Sequence, residues 1–251
     1  AVVRDGWFDC LGLVVSDPPG TMLTFLDNEK FLPVLKSNRK IAAVICRKDI
    51  ASLLSEGEER YAIATAEEPR ISFFFLHNNL AGLFASYKGT LVASRHGKNC
   101  KISRKAQVSE TGVVIGDNVV IEEYSSIKEG TIVEDNVQIK CGSIIGGSGF
   151  EYKMTDPPVD VIHCGKTIIG EGTIIHNNCS IDKAVFPWDS TVIGKNCRID
   201  SGVYIAHGAA IGDRCLITGN VVIGGRTRIG KNTKIGFNAT ISNGLKIGEN
   251  S

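Results

Sequence analysis

Ile193, Ile199, Ile205, Ile211, Ile217, Ile223, Ile229, Ile235, Ile241 and Ile247 stand six residues apart without a break. Upstream, Ile115, Ile121, Ile127, Val133, Ile139 and Ile145 keep the same step and phase, as do Ile169, Ile175 and Ile181. An amphipathic helix needs an apolar period near 3.6 and a half-buried strand a period of 2. Six fits neither. Hexads of this kind build a parallel β-helix, each supplying one short strand and one corner. Four places after the aliphatic residue stands a small or β-branched one, as at Cys197, Val203, Ala209, Cys215 and Thr227. Glycine often follows the aliphatic residue, with Asn or Asp close by ("GDN", "GKN", "GEN"), a composition suited to tight corners. If three hexads close one coil, residue i lies under residue i+18, about 4.8 Å away along the axis.

The hexad begins near residue 96 and divides the 251 residues into two domains, 1–95 and 96–251. In the first, "AAVIC" (42–46) and "YAIAT" (61–65) read as strands and "KDIASLLSEGEE" between them as a helix. Pro69 opens a second helix over "RISFFFLHNNLAGLF". The expected fold is therefore mainly β, a β-helix preceded by a small α/β domain. Residues 147–168 and 183–190 lack the hexad but restore its phase afterwards, so they are expected to emerge as loops. Phe150, Tyr152, Phe186 and Trp188 concentrate there in aromatic-poor surroundings, which points to ligand or subunit contacts.

With 28 basic and 27 acidic residues the chain lacks the basic surplus of a nucleic-acid binder. Its eight cysteines are dispersed, form no CxxC pair and follow no secretion signal, so they read as reduced thiols. The apolar run "ISFFFL" is too short to span a bilayer, and the expectation is a cytoplasmic protein without a transmembrane segment.

Against this scaffold His207 stands out, in "VYIAHGAAIGDRC" (203–215). It lies two places after Ile205, and its equivalent one coil later is Gly225, two after Ile223. Such a side chain leaves the inward isoleucine row and lies near a corner, facing solvent or another subunit. Glycine in the next coil leaves open space beside the ring and a backbone N–H above it. That suits a base next to an oxyanion-binding amide, although geometry alone favours a solvated corner histidine. A zinc-dependent β-helix enzyme would need three converging histidines. His77, His96, His163, His176 and His207 include no HxxxxH pair within the coil, and no metal is expected. Cys179, Cys197 and Cys215, eighteen apart, are expected to stack in one column as core filler.

Several segments resemble the UDP-3-O-acyl-glucosamine N-acyltransferases of lipid A biosynthesis, within the hexapeptide-repeat acyltransferase superfamily. "PGTMLTFLDNEKF" (19–31) resembles the motif in which two aromatic rings sandwich uracil; Phe25 and Phe31 match those rings and Asn28 lies between them. "IIGGSGFEY" (144–152), with Phe150 and Tyr152, resembles the loop leading into the substrate site. "CSIDKAVF" and "RIDSGVYIAHGAAIGD" resemble the catalytic coils. On this resemblance His207 matches the general base, Gly225 the glycine whose amide holds the oxyanion, and Asp200 an acidic residue near the base. Ser201 and Gly208 stand where the family often has asparagine, and Gly244 where it has a second histidine.

The resemblance implies a left-handed coil and a homotrimer. It also implies transfer of an acyl group from a thioester, on acyl carrier protein or CoA, to the amine of a UDP-amino sugar. No permanently bound cofactor is implied. Two other readings remain: an acetyl-CoA-dependent N-acetyltransferase on another nucleotide-linked amino sugar, and a non-catalytic nucleotide-binding scaffold. Ser251 falls at the small inward place of a hexad, which predicts a natural chain continuing into further coil and a helical tail.

Overall fold

The computed structural model describes residues 1–55, 60–88 and 92–251 and divides into two compact units. One comprises residues 1–87 with 151–162, the other 88–150 with 163–251. The division by sequence at 95/96 thus falls a few residues late, and the middle of the first insertion belongs with the N-terminal unit.

The N-terminal unit holds a five-stranded sheet: β1 (Val2–Arg4), β2 (Cys10–Leu11), β3 (Met22–Leu26), β4 (Ile41–Cys46) and β5 (Ala62–Thr65), in the order β1-β5-β4-β3-β2. β2 to β5 run parallel, and β1 closes the edge antiparallel to β5. Helices α1 (Leu32–Ser37), α2 (Lys48–Ser55) and α3 (Pro69–Leu83) connect or flank them. β4 and β5 are the two strands read from the sequence, and Pro69 occupies the first turn of α3, where its missing N–H is harmless. The end of the "KDIASLLSEGEE" helix, 56–59, lies outside the described residues. His77 on α3 is a satisfied core histidine, its ring nitrogens 2.9 Å from Tyr87 Oη and 2.7 Å from the Ile162 carbonyl.

The second unit is the parallel β-helix. Its first face runs from Arg95–His96 to Lys246–Ile247, its second from Lys101–Ile102 to Lys234–Ile235, and its third from Gln107–Val108 to Thr240–Ile241. Each hexad isoleucine lies on its equivalent: Ile199 pairs with Ile217, Ile205 with Ile223, and Ile211 with Ile229. These rows form one continuous buried core, each fully buried side chain contributing roughly 1.5–3 kcal/mol of transfer free energy.

Two residue types at the corners answer two different demands. Asn118, Asn136, Asn196 and Asn232 hold φ between 55° and 60°, the left-handed region that Asn tolerates. Glycine directly after the isoleucine serves close approach instead. A methyl on Gly194 would lie 2.6 Å from the Gly212 carbonyl carbon in the next coil.

The insertions alter the stacking arithmetic. Ile132 pairs with Ile168, and Ile168 with Val192, before the eighteen-residue step returns at Val192 and Ala210. Because 183–190 adds one hexad, Cys179 moves to another column. It aligns with Val203, while Cys197 stacks on Cys215 and under Thr173. The expected three-cysteine column is thus a two-cysteine column. Its thiols act as weak donors, Cys197 Sγ to the Gly212 carbonyl and Cys215 Sγ to the Gly230 carbonyl, both at 3.2 Å. Thr233 Oγ1 makes the same bond to Gly248 at 2.8 Å.

Candidate functional site

His207 sits on the corner between the third-face strand Tyr204–Ile205 and the first-face strand Ala210–Ile211. Gly208 takes the left-handed place there, with φ +67°, which explains why asparagine is dispensable after the histidine. Its N–H donates to Thr191 Oγ1 at 2.8 Å, and the Arg226 N–H donates to the His207 carbonyl at 3.0 Å. These bonds fix the backbone on either side of the half-buried ring.

Gly225 lies against the imidazole as the stacking requires. A methyl there would stand 2.9 Å from His207 Nε2 and 3.0 Å from Cε1, so the absent side chain is what leaves room for the ring. The Gly225 N–H, expected to be accessible, donates to Asn243 Oδ1 at 2.8 Å. This is the ordinary corner bond of the coil, repeated from Lys195 N–H to Asp213 and from Asp117 N–H to Asp135.

Three groups that sequence reasoning passed over converge beside His207. His163, buried, has its ring centroid 5.4 Å from that of His207 at an interplanar angle of 74°. Asp182 ends the third-face strand Ser180–Asp182 and is only 3% exposed. The Tyr204 hydroxyl donates to Asp182 Oδ2 at 2.5 Å. Burial pushes the Asp182 carboxyl up from 3.8 to about 6, against the opposite pull of the tyrosine bond. Burial, then the carboxylate, raises the Tyr204 phenol as well.

The residues 147–149 fold across these groups as a glycine strap. A methyl on Gly149 would lie 2.8 Å from His163 Nε2, 3.2 Å from Asp182 Oδ2 and 3.4 Å from His207 Cδ2. The signal that could have found Asp182 was a carboxylate directly after Ile181, where many hexads carry glycine. His163 carried no such signal, because it lies in the insertion, outside the repeat.

The second insertion packs beside the same corner. Phe186 is wholly buried and stacks on Trp188, with ring centroids 5.9 Å apart and planes within 4°. The Arg226 guanidinium lies 5.6 Å from the Phe186 centroid and 3.9 Å from Asp189 Oδ2. Phe186 therefore serves the chain's own packing rather than offering a ligand face.

The structure does not bring Asp200 to this corner. It turns the preceding one, after the second-face strand Arg198–Ile199, where its Oδ1 accepts from the Ser201 N–H at 2.7 Å. Phe150 is 85% exposed at the end of the strap segment, and Tyr152 lies on a short antiparallel hairpin, paired with Asp160.

In the N-terminal unit, Phe25 on β3 is half-buried, with ring centroids 5.1 Å from Phe73 and 6.1 Å from Phe74. Arg70 reaches over it, 5.4 Å from the centroid, while its Nε donates to Asp27 Oδ2 at 2.8 Å. Phe31 is exposed on the single 3-10 turn Glu29–Phe31, with Lys30 Nζ 5.0 Å from its ring. Asn28 caps that turn, accepting from the Lys30 N–H at 3.0 Å. A structural duty thus accounts for its side-chain oxygen.

A family model described as bacterial transferase hexapeptide (six repeats) matches residues 190–225, and one described as hexapeptide repeat of succinyl-transferase matches 226–251. The UDP-3-O-acylglucosamine N-acyltransferase of Helicobacter pylori strain HPAG1 is 28% identical over 184 residues, 65% of this chain and 53% of that protein. The protein of the same name from strain 26695 matches to the same extent. The chain spans about half the length of these relatives. Among solved structures, LpxA, a UDP-N-acetylglucosamine acyltransferase from Bacteroides fragilis 9343, is 24% identical over 61% of this chain and 62% of its own, with a TM-score of 0.43. No helix among the described residues is long and apolar enough to cross a membrane. The chain thus carries a three-faced parallel β-helix whose residues 190–251 are similar to hexapeptide-repeat transferases.

Proposed function

We propose that the chain is an N-acyltransferase moving an acyl group from a thioester to the amine of a UDP-linked glucosamine derivative, the step named in its Helicobacter pylori relatives. One observation carries the reading: an imidazole on a coil corner, with glycine as its neighbour in the next coil and a second imidazole 5.4 Å away. An unperturbed imidazole titrates near 6.5 and so accepts a proton at neutral pH.

In the proposed reaction His207 takes a proton from the sugar amine as its nitrogen attacks the thioester carbonyl. The C–N bond forms and the carbonyl oxygen becomes an oxyanion. The Gly225 N–H, which donates to Asn243 in the free protein, transfers its bond to that oxygen. Collapse breaks the C–S bond, and the imidazolium returns the proton to the departing thiolate. General-base assistance of this kind contributes about 10²–10⁴ in rate. The Phe25 region of the N-terminal unit takes the uracil, with Phe31 as the second ring, so the remote nucleotide anchors the reacting sugar. The donor is acyl carrier protein or CoA, and the working assembly is a homotrimer, with His207 at a subunit boundary.

The test crosses acyl-carrier-protein and CoA thioesters with UDP- and dTDP-linked amino sugars and reads the product by mass. N-acylated UDP-glucosamine derivatives support the proposal. Acetyl transfer confined to acetyl-CoA and another nucleotide sugar would replace it with an N-acetyltransferase. Nucleotide binding without any product would make the chain a scaffold.

A further inference from the structure

The reaction proposed for His207 uses neither Asp182 nor Tyr204, yet the buried carboxylate and the half-buried phenol pair at the same corner. A buried carboxylate is unfavourable unless hydrogen bonds or charges offset its lost hydration. Its surroundings are specific. Tyr204, from the neighbouring strand of the same face, donates to Oδ2. The strap presents Gly147 to Oδ1 and Gly149 to Oδ2, with methyl positions at 3.6 and 3.2 Å. Gly147 is registered opposite Asp182, and the Lys183 N–H donates to the Gly147 carbonyl at 2.9 Å. The Gly149 position touches His163 and His207 on its other sides. One residue of strap thus separates the carboxylate from both imidazoles. Among the described residues, Tyr204 donates to Asp182, His163 and His207 lie across the strap, and Lys183 is next along the chain.

We propose that Asp182 is a positioning residue for His207: through Tyr204 and the glycine strap it fixes the place of the His163–His207 pair, and its negative charge strengthens the base. This rests on the reading of His207 as the general base. The carboxyl, held up to about 6 by its burial, is ionised at pH 7.5 and largely neutral at pH 5. The base is therefore supported in the pH range where the amine itself is deprotonated. Glycine at 149 is required because any side chain would lie between the three groups.

The experiment uses Asp182→Asn, which keeps an acceptor for Tyr204 and removes only the charge, with Tyr204→Phe as the second variant. The first readout is the NMR titration of the His207 and His163 imidazoles, which needs no substrate. Their pKa values are expected to fall by at least about half a pH unit in Asp182→Asn. The second readout is turnover: kcat falls at least tenfold, KM changes less than about threefold, and the acid limb of the pH profile moves down. Tyr204→Phe moves both readouts in the same direction by less. Imidazole titrations that coincide with the wild type overturn the proposal, as does full kcat in Asp182→Asn. A wild-type protein silent toward every acceptor would refute the general-base reading, and the imidazole titration would still decide the electrostatic effect of Asp182.

Discussion

Gly225→Ala probes the account where its geometry is tightest. The added methyl would stand 2.9 Å from His207 Nε2, inside an ordinary contact by about half an ångström, so the ring must move by about that much. The backbone raises no objection, because Gly225 is absent from the left-handed positions of the coil. A 1 Å misplacement of a reacting group costs on the order of 10² in rate, so a shift of half that predicts roughly a tenfold fall in kcat. The half-exposed ring relieves much of the crowding, which keeps the stability cost near 1 kcal/mol, the low end for overpacking. Gly219→Ala is the matched control, since it occupies the equivalent place two residues after Ile217, over Ser201, and its methyl would find only contacts of 3.3 Å and longer. Turnover of the two variants, with thermal unfolding followed in parallel, provides the assay. Full activity in Gly225→Ala, or an equal loss in Gly219→Ala, would refute the reasoning.

Phe25→Ala should raise KM for the nucleotide sugar well before it affects kcat, as titration of initial rates against acceptor concentration will show. Thr173 Oγ1 donates to the Gly194 carbonyl at 2.8 Å and accepts from the Cys197 N–H at 3.0 Å, so Thr173→Val orphans buried groups at a cost of about 1–3 kcal/mol. Cys197→Thr, which supplies a hydroxyl in the same column, should cost less than about 1 kcal/mol by denaturant unfolding. The Asp182 carboxyl has its folded pKa raised, so its contribution to stability is complete below about pH 4 and is lost as the pH rises through about 6. That loss amounts to roughly 3 kcal/mol at neutral pH, and Asp182→Asn should be at least as stable as the wild type there, with a flatter stability profile.

The coil was legible because its constraint is local and repeated. Every hexad isoleucine from Ile115 onward points inward, and the phase survives because the insertions lengthen the coil-to-coil step by whole hexads, Ile132 pairing with Ile168 and Ile168 with Val192. The same arithmetic placed Gly225 beside His207, since no insertion falls between them. It failed for Cys179, where the second insertion moves the chain by one face. Asp200 is close to His207 along the chain, but one strand of a triangular coil separates their corners. The convergence of His163, Asp182 and Tyr204 could not be read from spacing. His163 enters through an irregular loop, and Asp182 meets the Tyr204 hydroxyl because the second insertion sets Ser180 opposite Tyr204. Asn28 is a motif residue whose side-chain oxygen also caps the turn Glu29–Phe31, accepting from the Lys30 N–H.

If His207 moves the proton in acyl transfer, its removal in His207→Ala must lower kcat. It is measured at pH 7.5 with saturating thioester and UDP-amino sugar, alongside uridine-nucleotide affinity by calorimetry. The expected result is a fall in kcat of about 10²–10⁴ with nucleotide affinity within about threefold of the wild type. Near-wild-type kcat in His207→Ala would contradict it.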